Sequence, residues 1–189
     1  MLEKLYWKEF KYTGTSFEEA VGEAASLNDA VGRIAMNFSV LEDEVSSAIT
    51  YLLQTTPTKG LLITGEMSYR AKINVMASLM RTEYQTGTLT EPISEEDFND
   101  LLYMCQKAEE LRNKLLHSSW IFDHAKKEVR RRKLSAKMKN GFVHQEEPLK
   151  PGQILDVADY ISYTAVSVDE YFTHTYADYK SLLAHVVYA

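Results

Sequence analysis

The stretch LLYMCQKAEELRNKLLHSSWIFD, residues 101–123, changes its hydrophobic period part-way along, and that change sets the fold. Up to about His117 the apolar residues Leu101, Met104, Ala108, Leu111 and Leu115 recur three or four apart, so they share one face of a helix. The helix begins upstream at Ser94, an N-cap serine followed by Glu95, Glu96 and Asp97 in the first turn. From Ser119 the run SWIFD reads as a strand. A helix that passes into a strand within two residues predicts a helical protein carrying a small β-insert.

Outward from this point the pattern is mostly helical. Residues 1–15 read as a short irregular or extended lead-in rich in aromatics. Ser16 and Glu19 have the spacing of a capping box. A helix follows to about Gln54, with a stripe of Ala20, Ala24, Leu27, Val31, Ile34, Phe38, Leu41, Val45, Ile49 and Leu52. Gly22 and Gly32 weaken it, and a kink near 26–28 is admitted. The run TTPTKG, residues 55–60, is read as its stop signal. A second helix is predicted over Ser68–Gln85, through Ile73, Met76, Leu79 and Met80. Beyond the SWIFD strand, Glu128–Met138 alternates like a strand and KNGF, residues 139–142, carries an Asn-Gly turn signal. Phe142–Leu149 is then a third strand. Pro151 opens a last helix with Ile154, Val157, Ala158, Ile161, Ala165, Val168 and Phe172, continuing to Leu182 and Val186. The expected architecture is one domain over 1–189: a mostly α, four-to-five-helix antiparallel bundle. A small antiparallel β-insert, at about 119–149, separates the third and last main helices.

Composition narrows the function. The chain has 189 residues, 45% hydrophobic and 25% charged, an ordinary globular balance. Its single cysteine, Cys105, excludes an intrachain disulfide framework and a cysteine zinc site, and its apolar setting reads as a small buried hydrophobe. The first residues lack a basic segment leading into an apolar one, and no apolar run approaches the ~20 residues of a membrane span. A cytoplasmic protein without a membrane partner is therefore expected. His124, His144, His174 and His185 lack metal-ligand spacing, and there is no Gly-rich phosphate loop, so neither metal nor cofactor is expected. Glu42, Asp43 and Glu44 are read as a solvated acidic face, with a carboxylate against Arg112 or His117 as the alternative. Tyr160, Tyr163, Tyr171, Tyr176 and Tyr179 are read as packing or dimer-interface residues of the last helix.

Net charge is −6, yet residues 123–139 hold eight basic residues against two acidic ones. An acidic body with one basic segment offers a place for a polyanion. A solvated hairpin accounts for the same charges.

The chemistry concentrates at RNKLLH, residues 112–117. Asn113 and His117 are four apart and lie together on the polar side of the helix. Arg112 lies about 140° around from His117, so its long side chain, or bending at the helix end, is needed to join them. Imidazole moves protons near neutrality, guanidinium binds phosphate oxygens bidentately, and an amide can orient either. RNA supplies its own nucleophile, the 2′-hydroxyl, so such a set needs no metal.

This hexapeptide resembles the signature of the HEPN superfamily: Arg, a polar residue, three or so variable residues and His, at the end of the third helix of a four-helix bundle. The following tryptophan-bearing strand also fits, and NFSVLE, residues 37–42, resembles the family's first core helix. The resemblance implies a metal-independent endoribonuclease. Such proteins dimerise to bring two motifs to one composite site, and they cleave by 2′-hydroxyl attack to give 2′,3′-cyclic phosphate and 5′-hydroxyl ends. His117 would transfer protons, Arg112 would hold the scissile phosphate, and Asn113 would position one or the other. Lys114, Ser118, Lys126, Lys127, Arg130, Arg131, Arg132 and Lys133 are the expected RNA-binding residues. RNA, a second copy, and an antitoxin or defence-complex subunit are the partners implied. One departure is Ser119, where some family toxins carry a tyrosine that accepts a nucleotide; that regulation is not supported here. The alternative is a non-catalytic HEPN-like binding or adaptor module that keeps the motif for structure.

Overall fold

Helix α1, Phe17–Leu52, is the long spine of the protein, and the computed structural model describes residues 17–87, 94–123, 128–137 and 141–185. After α1 come α2 (Pro57–Thr64), α3 (Tyr69–Thr86) and α4 (Glu95–Leu116). Strands β1 (Ser119–Asp123), β2 (Glu128–Lys137) and β3 (Gly141–Pro148) precede α5 (Pro151–Thr175) and a 3₁₀ turn, Leu182–His185. Five helices with a three-stranded antiparallel sheet between α4 and α5 are thus present among the described residues, matching the predicted class. Ser16, the lead-in and Val186 lie outside the described residues.

From Leu27 onward, where burial is described, the predicted stripe faces the core. Ile34, Leu41, Val45 and Ile49 of α1 meet Ile73, Met76 and Met80 of α3, Phe98 and Cys105 of α4, and Ile154, Ile161, Val168 and Phe172 of α5, all almost fully buried. α1 runs unbroken through 26–28. Burial pushes the Cys105 thiol up to about 12, which leaves it a small inert hydrophobe. Ser68 and Ser94 cap α3 and α4 by accepting from Ala71 N and Glu96 N.

α2 departs from the sequence reading. TTPTKG does end α1, but Pro57 also begins a new helix, capped by Thr56, because proline is preorganised for a first helical position. Gly60 lets α2 pack against α1: a Cβ there would lie 2.0 Å from Thr50 Oγ1. α2 carries the chain back, so α3 runs alongside α1 in the same direction. The rings of Phe38 and Tyr69 meet at 4.6 Å, and Lys72 Nζ reaches Glu42 Oε1 at 2.8 Å. α4 runs against α3 and α5, with Tyr84 and Tyr171 near Phe98 at its start and Tyr69 donating to Cys105 O further along.

Two expectations fail at the C-terminal end, for one reason. α5 stops at Thr175, and Tyr176 (φ −133, ψ 113) turns the chain back over α1. Tyr176 and Tyr179 therefore stack on Tyr51 and Phe172 from outside the helix. The returning segment also covers Glu44 within the expected solvated acidic face, of which Asp43 stays exposed. Glu44 is buried and accepts from Ser181 Oγ at 2.9 Å, while Leu182 N donates to Ser47 Oγ. Glu42 is committed to Lys72. Neither carboxylate pairs with Arg112 or His117.

Burial, with Asp169 and Asp43 nearby, raises the Glu44 carboxyl to about 7. Between the usual carboxylate range and that value only the folded chain holds the proton. Stability is therefore expected to fall as pH rises across that window and to level off above it. Glu44→Gln should flatten the slope and gain roughly 1–3 kcal/mol at pH 8 in urea unfolding; a wild-type curve already flat from pH 5 to 8 would contradict this.

Candidate active site

The end of α4 is where helix, turn and sheet meet. His117 is the C-cap: it leaves helical geometry (φ −95, ψ 16), and its N–H still bonds to Asn113 O at 3.3 Å. The Arg112 side chain spans the angle between its position on the helix and that of His117. Arg112 Nη1 donates to Asn113 Oδ1 at 2.8 Å and lies 3.5 Å from His117 Nε2. A guanidinium only donates, so in this arrangement Nε2 accepts and the imidazole proton belongs on Nδ1. The three residues singled out in the sequence are thus brought into one cluster. His117 is exposed, and Arg112 and Asn113 are half-buried.

Phe38 of α1 completes the cluster, with the Arg112 guanidinium carbon 4.9 Å from its ring centroid. Arg112 Nε is buried without a hydrogen-bond partner. Among the described residues no carboxylate pairs with Arg112.

The basic segment behaves differently. In the sheet β1-β2-β3, Trp120 lies opposite Arg131, Arg131 opposite Glu147, and Arg132 opposite Glu146. Arg132 Nε and Nη2 both bond to Glu146 Oε1, at 3.1 and 2.9 Å. Arg130 pairs with Asp123 and Glu146. Arg131 is buried: it donates to Lys114 O at 3.1 Å and Ser118 Oγ at 3.3 Å, and meets Glu147 Oε1 at 2.7 Å. Ser118 Oγ in turn donates to Lys114 O. Exposed Lys114 holds its Nζ 3.8 Å from Glu147 Oε1. Lys133 stands in β2 opposite Gln145, and Lys126 and Lys127 lie outside the described residues.

An open groove of about 450 Å³ runs past this junction, lined by Asn113, Lys114, His117, Ser118, Arg131 and Arg132 among others. It joins the motif to part of the basic segment. Glu146, Glu147 and Phe38 are the members sequence reading did not assign to the site. No group of three His, Cys, Asp or Glu residues suited to a metal occurs among the described residues, and no described helix is long and apolar enough to cross a membrane.

Comparison with protein-family models, curated proteins and solved structures gives no match. The arrangement of the side chains therefore carries the functional argument.

Arg131 ties the sheet to the helix end from a buried position, and removing one member of such a pair strands the others. Arg131→Ala is expected to lose about 3 kcal/mol in urea unfolding. Hydrogen exchange should quicken first at the amides of His117 and Ser118. Unchanged stability and exchange would mean that the guanidinium is not the tie.

Proposed function

We propose that the protein is a metal-independent endoribonuclease of the HEPN type, acting as a homodimer. The observation that carries this reading is Arg112: a half-buried cation without a carboxylate partner, beside Asn113 and His117 Nε2 at the edge of an open groove. A phosphate oxygen is the ligand such a guanidinium lacks. The chemistry needs one proton taken and one given. The 2′-oxygen loses its proton as it attacks phosphorus, the P–O5′ bond breaks, and the leaving 5′-oxygen gains a proton. The products are a 2′,3′-cyclic phosphate and a 5′-hydroxyl. His117 with Nε2 unprotonated suits the first transfer. Arg112 stabilises charge on the phosphoryl oxygens, and Asn113 fixes Arg112.

Among the described residues one imidazole stands at this site, whereas the reaction uses an acid and a base. A second copy would supply the other His117, which supports the dimer. Lys114 and Arg131 on the groove wall would follow the RNA backbone. The same resemblance extends the proposal to a cytoplasmic role in defence or a toxin–antitoxin pair, with RNA as substrate.

A second reading, a non-catalytic adaptor, is favoured by a different surface. Val40 of α1 and Val166 of α5 flank a cleft near exposed Met36 and Tyr163, apolar residues that a protein partner would cover.

Exposed His117 can be truncated without emptying the core. His117→Ala is expected to lower cleavage of a mixed-sequence single-stranded RNA in excess EDTA by at least about 100-fold, with an unchanged circular dichroism spectrum. Equal cleavage by the folded variant would remove this mechanism, and no cleavage by either protein would favour the adaptor.

A further inference from the structure

We propose that Lys114 and Arg131 form a phosphate subsite beside the cleavage centre, and that Glu147 occupies it as an internal stand-in for the phosphate. The inference rests on the ribonuclease reading for the identity of the chain that brings the phosphate; the subsite itself rests on geometry.

Glu147 Oε1 lies between two cations from different elements, 2.7 Å from Arg131 Nη2 of β2 and 3.8 Å from Lys114 Nζ of α4. The two sides of this contact are unequally fixed. The Arg131 side chain is 6% exposed and is also held by Lys114 O and Ser118 Oγ, so its guanidinium stays in place without Glu147. The Glu147 side chain is 43% exposed and pairs only with these two cations among the described residues, so it can swing into solvent. Neighbouring Arg132 differs: Glu146 takes both its Nε and Nη2, and the pair is closed.

A phosphodiester carries the same single negative charge as a carboxylate and presents two non-bridging oxygens to two donors. Replacing Glu147 by phosphate is thus an exchange of anions at a preformed cation pair. The helix end opposes any anion here, because the C-terminus of α4 carries the negative end of the helix dipole. Arg131 offsets this by donating to one of its last carbonyls, Lys114 O. His117, Asn113, Lys114 and Arg131 line one groove, and Arg112 touches two of these residues, so a strand with one phosphate at Arg112 would pass this point with another. Glu147 then acts as a competitor that a single small anion displaces poorly and an RNA strand, held at several phosphates, displaces well.

Inorganic phosphate is the probe, followed through the backbone amide resonances of His117 and Ser118. Glu147→Gln leaves a carbonyl oxygen facing Arg131. It is expected to lower the half-saturating phosphate concentration roughly tenfold, the effect of removing one charge at close range on a partly solvated site. Glu147→Ser should give a similar gain, which guards against a defect peculiar to one variant. Adding Lys114→Ala to Glu147→Gln should abolish the gain. Phosphate binding unchanged in both Glu147 variants, or a gain that survives loss of Lys114, overturns the subsite. RNA cleavage by the same proteins is read separately. Phosphate gain without cleavage leaves the subsite and removes the ribonuclease, and cleavage without phosphate gain does the reverse.

Discussion

The buried guanidinium of Arg131 joins two parts of the protein that have little else in common. The last carbonyls of a helix need donors, and at the end of α4 one of them, Lys114 O, accepts from Arg131 of β2 as well as from Ser118 Oγ. The same guanidinium reaches Ser118 Oγ and Glu147 Oε1, so helix, turn and two strands converge on one planar group. Lysine, with a single nitrogen, could not hold three such acceptors in this fork. Trp120 and Leu149 pack the two ends of the insert against the core, and Arg131 fixes its angle. The position of His117 follows from this, because the turn it caps is the one Arg131 holds.

Charge is distributed along the insert by the same logic. A run of three arginines looks like an open basic surface until the register places Glu146 and Glu147 across from Arg132 and Arg131. The three arginines are then each paired with a carboxylate within the sheet. Arg112 carries the contrast: it sits on Phe38, shares its Nη1 with Asn113 and, among the described residues, has no carboxylate partner. A half-buried cation without a counter-charge, next to residues that line a groove, is common where an anionic ligand is to be met.

Much of this was legible in residues. The spacing from Leu27 to Ile49 and from Leu101 to Leu115 reports the buried faces directly, since a 3.6-residue period has no other cause. Ser68, Ser94 and Pro151 mark helix starts because each solves a local hydrogen-bonding or backbone problem. The clustering of Arg112 with His117 was legible only as a condition, that the long arginine side chain or a bend at the helix end joins them; the two stand 3.5 Å apart. The partners of the arginines were not legible. A two-residue Asn140-Gly141 turn would set Lys139 opposite Phe142, yet Gly141 lies in β3 opposite Lys137. That shift is what brings Glu147 to Arg131. Nor could local pattern reveal that Ser181 returns to bury Glu44, because the two are 137 residues apart.

The proposed reaction is defined by the substrate's own hydroxyl. The most direct measurement uses a DNA oligonucleotide that keeps a single ribose, incubated with the protein in excess EDTA and followed by end-group analysis. The predicted result is one cut, 3′ to that ribose, leaving a 2′,3′-cyclic phosphate and a 5′-hydroxyl. Cleavage at deoxyribose positions, or a cut leaving a 3′-hydroxyl and 5′-phosphate, would contradict the assignment of Arg112, Asn113 and His117.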